Sequence, residues 1–134
     1  MVSIFIVSHS EIANSFAYCL EHIMNKRVDN LVILAVRKAE APDSIVERAH
    51  EIIQRQMQKV DGVLILTDIF GATPSNIASQ LIDPGKVELI TGLNLPMLIR
   101  AISYSNSNLA LCVEKALEGG VSGIVHVAKQ PSRI

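Results

Sequence analysis

The sequence has few aromatic residues and no excess of either charge. It contains no tryptophan, three phenylalanines and two tyrosines, so platforms on which nucleic-acid bases or sugar rings stack are not expected. Its 12 lysines and arginines face 13 aspartates and glutamates, which gives a formal net charge of −1. Without a basic excess, neither nucleic acid nor an anionic membrane surface is expected as a partner.

Cysteines and long apolar runs are scarce as well. Cys19 and Cys112 form no C-x-x-C pair, and two buried thiols in a reducing compartment are favoured over a single disulfide. No run reaches the roughly 18 apolar residues that a membrane span requires. The N-terminus lacks the basic start of a signal peptide, because Lys26 is the first positive charge. We therefore expect a cytoplasmic protein.

What the sequence does contain is enough apolar material, 49% of its residues, for a core in a single domain over residues 1–134. Short β-rich segments alternate with segments whose apolar residues recur at helical spacing. This alternation predicts an α/β fold with an open, mainly parallel, doubly wound sheet and helices on both faces. Four parallel strands and a C-terminal strand are expected at residues 2–7, 31–36, 63–67, 87–91 and 123–128.

Local signals predict where three of the helices begin or end. Ser44 followed by Glu47 has the spacing of a capping box at a helix start. Thr73-Pro74 also favours a helix start, with Thr73 as the cap and Pro74 in the first turn. The pair Gly119-Gly120 predicts the end of a helix that begins at Leu109.

In a sheet of this kind the ligand crevice lies at the carboxyl ends of the strands. The candidate loops are therefore residues 8–10, 37–42, 68–74 and 92–96. His9 follows the first strand where a helix begins, a place that attracts anions. A lone histidine there is often only a turn or capping residue.

Asp68 changes that interpretation because it ends the third strand, which can lie beside the first. A carboxylate there would accept a hydrogen bond from one ring nitrogen of His9, fix its tautomer and leave the other nitrogen as a nucleophile. The alternative is that Asp68 only caps its strand.

The segment after Asp68 favours a bound phosphoryl group. Gly71 and Ala72 let the backbone approach an anion closely, and Thr73 offers a hydroxyl and an amide. A nucleotide site is disfavoured, because the sequence has neither a Walker A lysine nor a G-x-G-x-x-G pattern.

The other histidines support no further chemistry. His22 lies three residues after Cys19, but no second pair of ligands accompanies it, so we expect no metal and no cofactor. His50 is expected in solvent, and His126 is expected as a packed or edge residue of the last strand. A hydrolase is disfavoured because no nucleophile elbow is present.

Three segments resemble, in order and spacing, the mannose-class IIA component of the bacterial phosphoenolpyruvate-dependent sugar phosphotransferase system (PTS). They are residues 7–10 (VSHS), 67–76 (TDIFGATPSN) and 91–97 (TGLNLPM). The resemblance implies a phosphotransferase in which His9 accepts a phosphoryl group from HPr and passes it to a IIB protein. It implies that Asp68 orients the imidazole. The expected phosphate contacts are Ser10, Phe70, Gly71, Ala72 and Thr73.

The resemblance carries further expectations about assembly. It implies a homodimer, and in this family the C-terminal strand, here 123–128, can be exchanged between subunits; whether it is exchanged here stays open. It also implies contact with the membrane only through IIB, IIC and IID components. Since the chain ends at Ile134, IIB is expected to be a separate protein. The sequence departs from the family at Ala72 and Ser10, where glycine is common. Two alternatives stay open: a regulatory phosphoprotein without a direct role in transport, and an anion- or nucleotide-binding domain. The sugar is not encoded here.

Overall fold

The computed structural model describes residues 1–130 as a parallel sheet with helices on both faces. The strands lie in the order β2-β1-β3-β4, and every neighbouring pair is parallel. The predicted four-stranded parallel α/β sheet is therefore confirmed. In chain order the elements are β1 (Val2–His9), α1 (Ile12–Met24), β2 (Leu31–Val36), α2 (Pro42–Met57), β3 (Gly62–Thr67), α3 (Thr73–Ser79), β4 (Val87–Thr91), α4 (Leu95–Ser103) and α5 (Leu109–Ser122).

Side chains of the central strand β1 alternate between two apolar cores. Ile4 and Ile6 pack into a cluster with residues of α1, α4 and α5, whereas Phe5 and Val7 pack with residues of α2 and α3. All four side chains are fully buried. Strands buried on both faces have continuous apolar sequences, which is why the pattern of this strand is not a simple alternation.

Two of the predicted helix starts are wrong in their details. Helix α2 begins at Pro42, and extended Ala41 is its N-cap, so Ser44 lies inside the first turn and forms no capping box. The fixed φ of proline suits the first helical position and keeps the preceding residue extended, which overrides the Ser44 signal. At α3 the N-cap is Ala72, and Thr73 is the first helical residue rather than the cap.

The predicted stop at Gly119-Gly120 is also wrong, because α5 continues to Ser122. The two glycines let α5 approach α4 closely. A Cβ atom on Gly119 would lie 3.0 Å from the carbonyl oxygen of Pro96, and one on Gly120 would lie 2.7 Å from Cε of Met97. Here glycine provides room for helix packing instead of a helix end.

The predicted C-terminal strand at 123–128 does not form in the described chain, where residues 124–130 have no regular structure. Helix α5 continues past the expected stop, and no strand of this chain pairs with the segment that follows. Its β-branched side chains therefore remain in solvent: Ile124 is 77% exposed, Val125 69% and Val127 81%. His126, expected as a packed or edge residue of that strand, is exposed and outside any strand of residues 1–130.

Both cysteines are free thiols, as the sequence favoured, but only Cys112 is buried as expected, whereas Cys19 is partly exposed. Burial raises the pKa of the Cys112 thiol to about 11, and its Sγ atom lies 3.3 Å from the carbonyl oxygen of Ala101, to which it donates. Among residues 1–130, no helix is both long and apolar enough to cross a membrane.

Candidate functional site at the carboxyl edge of the sheet

The register of β1 and β3 brings His9 and Asp68 together. Val7 pairs with Thr67, so Asp68 follows β3 at the level where β1 ends in His9. Nδ1 of His9 lies 2.7 Å from Oδ2 of Asp68, and the backbone N–H of His9 donates to the same oxygen over 3.1 Å. The predicted contact between the imidazole and the carboxylate is present.

This contact determines which ring nitrogen is available for chemistry. An ionised carboxylate only accepts hydrogen bonds, so Nδ1 must carry the proton and, in the neutral ring, Nε2 keeps its lone pair. The side chain of Asp68 is 12% exposed, whereas that of His9 is 46% exposed. The buried carboxylate therefore holds a ring that is accessible from outside.

Opposing effects act on the pKa of Asp68. Partial burial raises it, but the hydrogen bonds from the ring and the amide of His9, the charge of the imidazole and the hydrogen bond from the Ile69 amide together lower it. The net result is a pKa below the ordinary value for aspartate. Asp68 is thus ionised at neutral pH and can accept a hydrogen bond from the protonated Nδ1 of His9.

Ser10 turns the chain away from β1 directly after His9. Its φ angle is +41°, in the left-handed region where a side chain is strained, and its amide donates to the carbonyl oxygen of Val36 over 2.9 Å. This conformation gives a physical reason why glycine is favoured at the position. Ser10 retains the turn, and it lines the same cavity as His9.

In the turn after β3, the amide of Gly71 is already hydrogen-bonded within the protein, which the sequence analysis did not predict. Gly71 has a φ of +82°, and its amide donates to Oγ of Ser75 over 3.1 Å. Ala72 is extended (φ −94°), a conformation open to any residue, so its departure from glycine causes no strain. Ser75, which is buried in the first turn of α3, was missed in the sequence. Its only signal in the sequence is a hydroxyl residue directly after Thr73-Pro74.

The remaining predicted contacts differ in whether they share a cavity with His9. A cavity of about 550 Å³ has His9, Ser10 and Thr73 in its wall. Phe70 lies outside that wall and is 82% exposed, next to Ile69, which is 56% exposed. An apolar rim therefore borders the site on the β3 side.

The other histidines of residues 1–130 have no carboxylate partner comparable to Asp68. His22 and His50 are exposed on α1 and α2. Over residues 1–130 no group of three or more His, Cys, Asp or Glu side chains is arranged to hold a metal ion.

The lowered pKa of Asp68 predicts how the contact with His9 affects stability. Because folding lowers this pKa, the stabilisation is present above pH about 4 and is lost as the pH falls through the folded-state value. We expect the parent to exceed Asp68→Asn by about 1 kcal/mol in free energy of unfolding at pH 7. Urea unfolding from pH 7 to pH 3 measures this difference. Glu51→Gln, on the exposed side of α2, is the control, and a difference independent of pH would contradict the argument.

Known proteins of one family resemble this chain over most of its length. A family model described as "PTS system fructose IIA component" (EIIA-man) matches residues 3–117. The chain is 29% identical over 112 residues to a PTS system fructose-specific EIIA component of Bacillus subtilis (strain 168), covering 83% of this chain and 75% of that protein. It is 35% identical over 86 residues to a PTS system mannose-specific EIIAB component of Escherichia coli (strain K12), covering 54% of this chain and 27% of the relative.

Solved structures give the same result. The phosphotransferase system component EIIA from Streptococcus agalactiae superimposes with a TM-score of 0.79 at 26% identity, covering 94% of this chain and 97% of that one. A mannose/sorbose-specific IIA subunit from Enterococcus faecalis shares the fold, with a TM-score of 0.85 at 19% identity and 98% of each chain covered. Because the family model spans most of the sequence, the chain belongs to the IIA components of the mannose class of the PTS.

Proposed function

We propose that the protein is a phosphoryl carrier: Nε2 of His9 accepts a phosphoryl group from phospho-HPr and passes it to a IIB protein. The observation that carries this proposal is the 2.7 Å contact between Nδ1 of His9 and Asp68, which leaves Nε2 as the nucleophile. The names of the relatives, which are fructose- and mannose-specific PTS components, support the same role.

The transfer needs no proton to leave the imidazole. The lone pair of Nε2 forms the new nitrogen–phosphorus bond while the bond in the donor phosphohistidine breaks, and its electron pair stays on the donor nitrogen. The proton on Nδ1 remains hydrogen-bonded to Asp68. The ring of His9 becomes positive, and the ionised Asp68 stabilises that charge. Transfer to IIB reverses these steps with the acceptor nucleophile of IIB.

Positioning by the surrounding turns supplies the rest of the catalysis. The amides of Ala72 and Thr73 lie at the start of α3, where backbone N–H groups have no acceptor within the helix. With the hydroxyls of Ser10 and Thr73, they would hold the phosphoryl oxygens. The amide of Gly71 is already bonded to Ser75, so Gly71 contributes by its φ angle rather than as a donor.

The exposed apolar residues beside His9 fit a protein that docks two partners in turn. Ile12, Ile69 and Phe70 are 40%, 56% and 82% exposed, and they belong to the elements that follow β1 and β3. HPr and IIB would bind this rim successively, since both must bring a reacting atom to the same nitrogen. On this proposal the protein works in the cytoplasm and reaches the membrane only through IIB, IIC and IID.

We also propose that the segment 124–130 mediates a homodimer by pairing with the partner's sheet. Ile124, Val125 and Val127 are exposed, and β4 is an edge strand of the four-stranded sheet. Exposed β-branched residues and an unpaired strand edge both favour strand addition.

For the carrier function, incubation with phosphoenolpyruvate, enzyme I and HPr is expected to give acid-labile, alkali-stable phosphate on the protein. His9→Ala should take up none, and His22→Ala, the exposed control on α1, should match the parent. Asp68→Asn should slow labelling by roughly 10²-fold, because the ring loses its orientation. Equal labelling of His9→Ala and the parent would rule the assignment out.

For the dimer, sedimentation of the full chain should give twice the monomer mass. Val125→Asp should dissociate it, since a charge would be buried against the partner, whereas Lys129→Asp in the same segment should not. A monomeric parent, or a dimer unaffected by Val125→Asp, would contradict strand exchange.

A further inference from the structure

The loop of residues 37–42, singled out in the sequence, has no role in the carrier mechanism described above. The sheet register brings this loop next to the nucleophile: His9 pairs with Val36, and the amide of Ser10 donates to the carbonyl oxygen of Val36 over 2.9 Å. Arg37 is therefore the first residue beyond β2 at the level of the imidazole. The loop lies on the opposite side of β1 from Asp68, because β1 is flanked by β2 and β3.

Two cations of this loop share a cavity with the histidine. Arg37 and Lys38 line the same space of about 550 Å³ as His9, Ser10 and Thr73. Asp68 is not part of its wall, and it contacts the imidazole from the end of β3, on the other side of β1 from the loop. A phosphoryl group on Nε2 would add about two negative charges next to this cavity.

Arg37 already has a partner that a phosphoryl group could displace. Its Nη1 atom lies 2.8 Å from Oε1 of Glu11, and the two side chains are 59% and 63% exposed. Exposed ion pairs are weak, because solvent screens them and ordering two long side chains costs entropy. Glu11 also accepts a hydrogen bond from Asn14 on its other oxygen, over 2.9 Å, so it keeps a partner when Arg37 leaves.

The backbone of the loop is held independently of the guanidinium. The amide of Arg37 donates to Oε1 of Glu40 over 3.2 Å, and Oε2 of Glu40 pairs with Arg48 on α2. The guanidinium can thus exchange partners without movement of the chain that carries it. Its planar fork donates two parallel hydrogen bonds, a geometry that matches phosphoryl oxygens.

We propose that Arg37 is a phosphoryl-binding residue: when Nε2 of His9 is phosphorylated, the guanidinium leaves Glu11 and donates to the phosphoryl oxygens. The inference rests on the proposed carrier function and adds a group that resemblance to the family did not assign. Glu11 is then the resting partner that holds Arg37 beside the empty site. The two residues affect the phosphorylated state in opposite directions, since one attracts the phosphoryl group and the other competes for Arg37.

The equilibrium of phosphoryl transfer between phospho-HPr and the full-length chain tests this proposal. Arg37→Gln should lower the ratio of phosphorylated protein to phospho-HPr by about tenfold, because a charged hydrogen-bond donor is lost. Glu11→Gln should raise the ratio, and this increase should disappear when Arg37→Gln is also present. Arg55→Gln, an exposed arginine near the end of α2, is the matched control and should leave the ratio unchanged.

A second measurement separates contact with the phosphoryl group from contact with HPr. Chemical phosphorylation of His9 by phosphoramidate requires no protein partner, and ³¹P NMR then follows the second ionisation of the phosphoryl group. With Arg37 in contact, this ionisation should occur about one pH unit lower in the parent than in Arg37→Gln.

The outcomes distinguish this inference from the carrier function. If the parent is labelled and Arg37→Gln gives the same ratio, the role of Arg37 is overturned while the carrier function stands. A reduced ratio with an unchanged ³¹P titration would also overturn it, because Arg37 would then act through HPr. If the parent takes no phosphoryl group from HPr, the carrier function and the inference fail together.

Discussion

The site depends on one hydrogen bond, between Nδ1 of His9 and Oδ2 of Asp68. This bond exists because β1 and β3 are neighbouring parallel strands whose register aligns their carboxyl ends. A slip of one residue would move every side chain of one strand to the other face, so that on β1 Phe5 and Val7 would exchange cores with Ile4 and Ile6 and neither core would keep its packing. The burial of both strand faces therefore fixes the geometry of a reactive pair that itself lies at the surface.

At this edge of the sheet, backbone turns keep His9 accessible and the mostly buried carboxylate of Asp68 orients its ring. Ser10 and Gly71, both with positive φ, turn the chain away soon after His9 and Asp68, so the loops do not cover the imidazole. Asp68 is mostly buried and its pKa is lowered, whereas His9 is accessible. On the β2 side, Arg37 is paired with Glu11 and lines the same cavity as His9. The charged groups that the site uses are thus individual side chains next to His9, so the protein needs no large net charge, and its net charge is −1.

The sequence predicted the parallel sheet and the contact of His9 with Asp68, because both follow from short apolar strands and from residues directly after them. The predictions from the sequence are wrong where contacts with distant residues override a local signal. Gly119 and Gly120 resemble a helix end, yet they serve close contact between α4 and α5. The segment expected as a strand at 123–128 has β-rich composition, but within residues 1–130 no strand pairs with it. The partners of Gly71 and Arg37 depend on loop geometry that no spacing encodes.

The most direct test of the central claim is a ¹H–¹⁵N spectrum of the histidine ring nitrogens before and after phosphorylation. Because Nδ1 of His9 donates to Asp68, we predict that the uncharged ring carries its proton on Nδ1 before phosphorylation. After phosphorylation, the phosphoryl group should be bonded to Nε2. In Asp68→Asn the preference for this tautomer should weaken. A proton on Nε2 in the parent, or a phosphoryl group on Nδ1 or on another residue, would contradict the account.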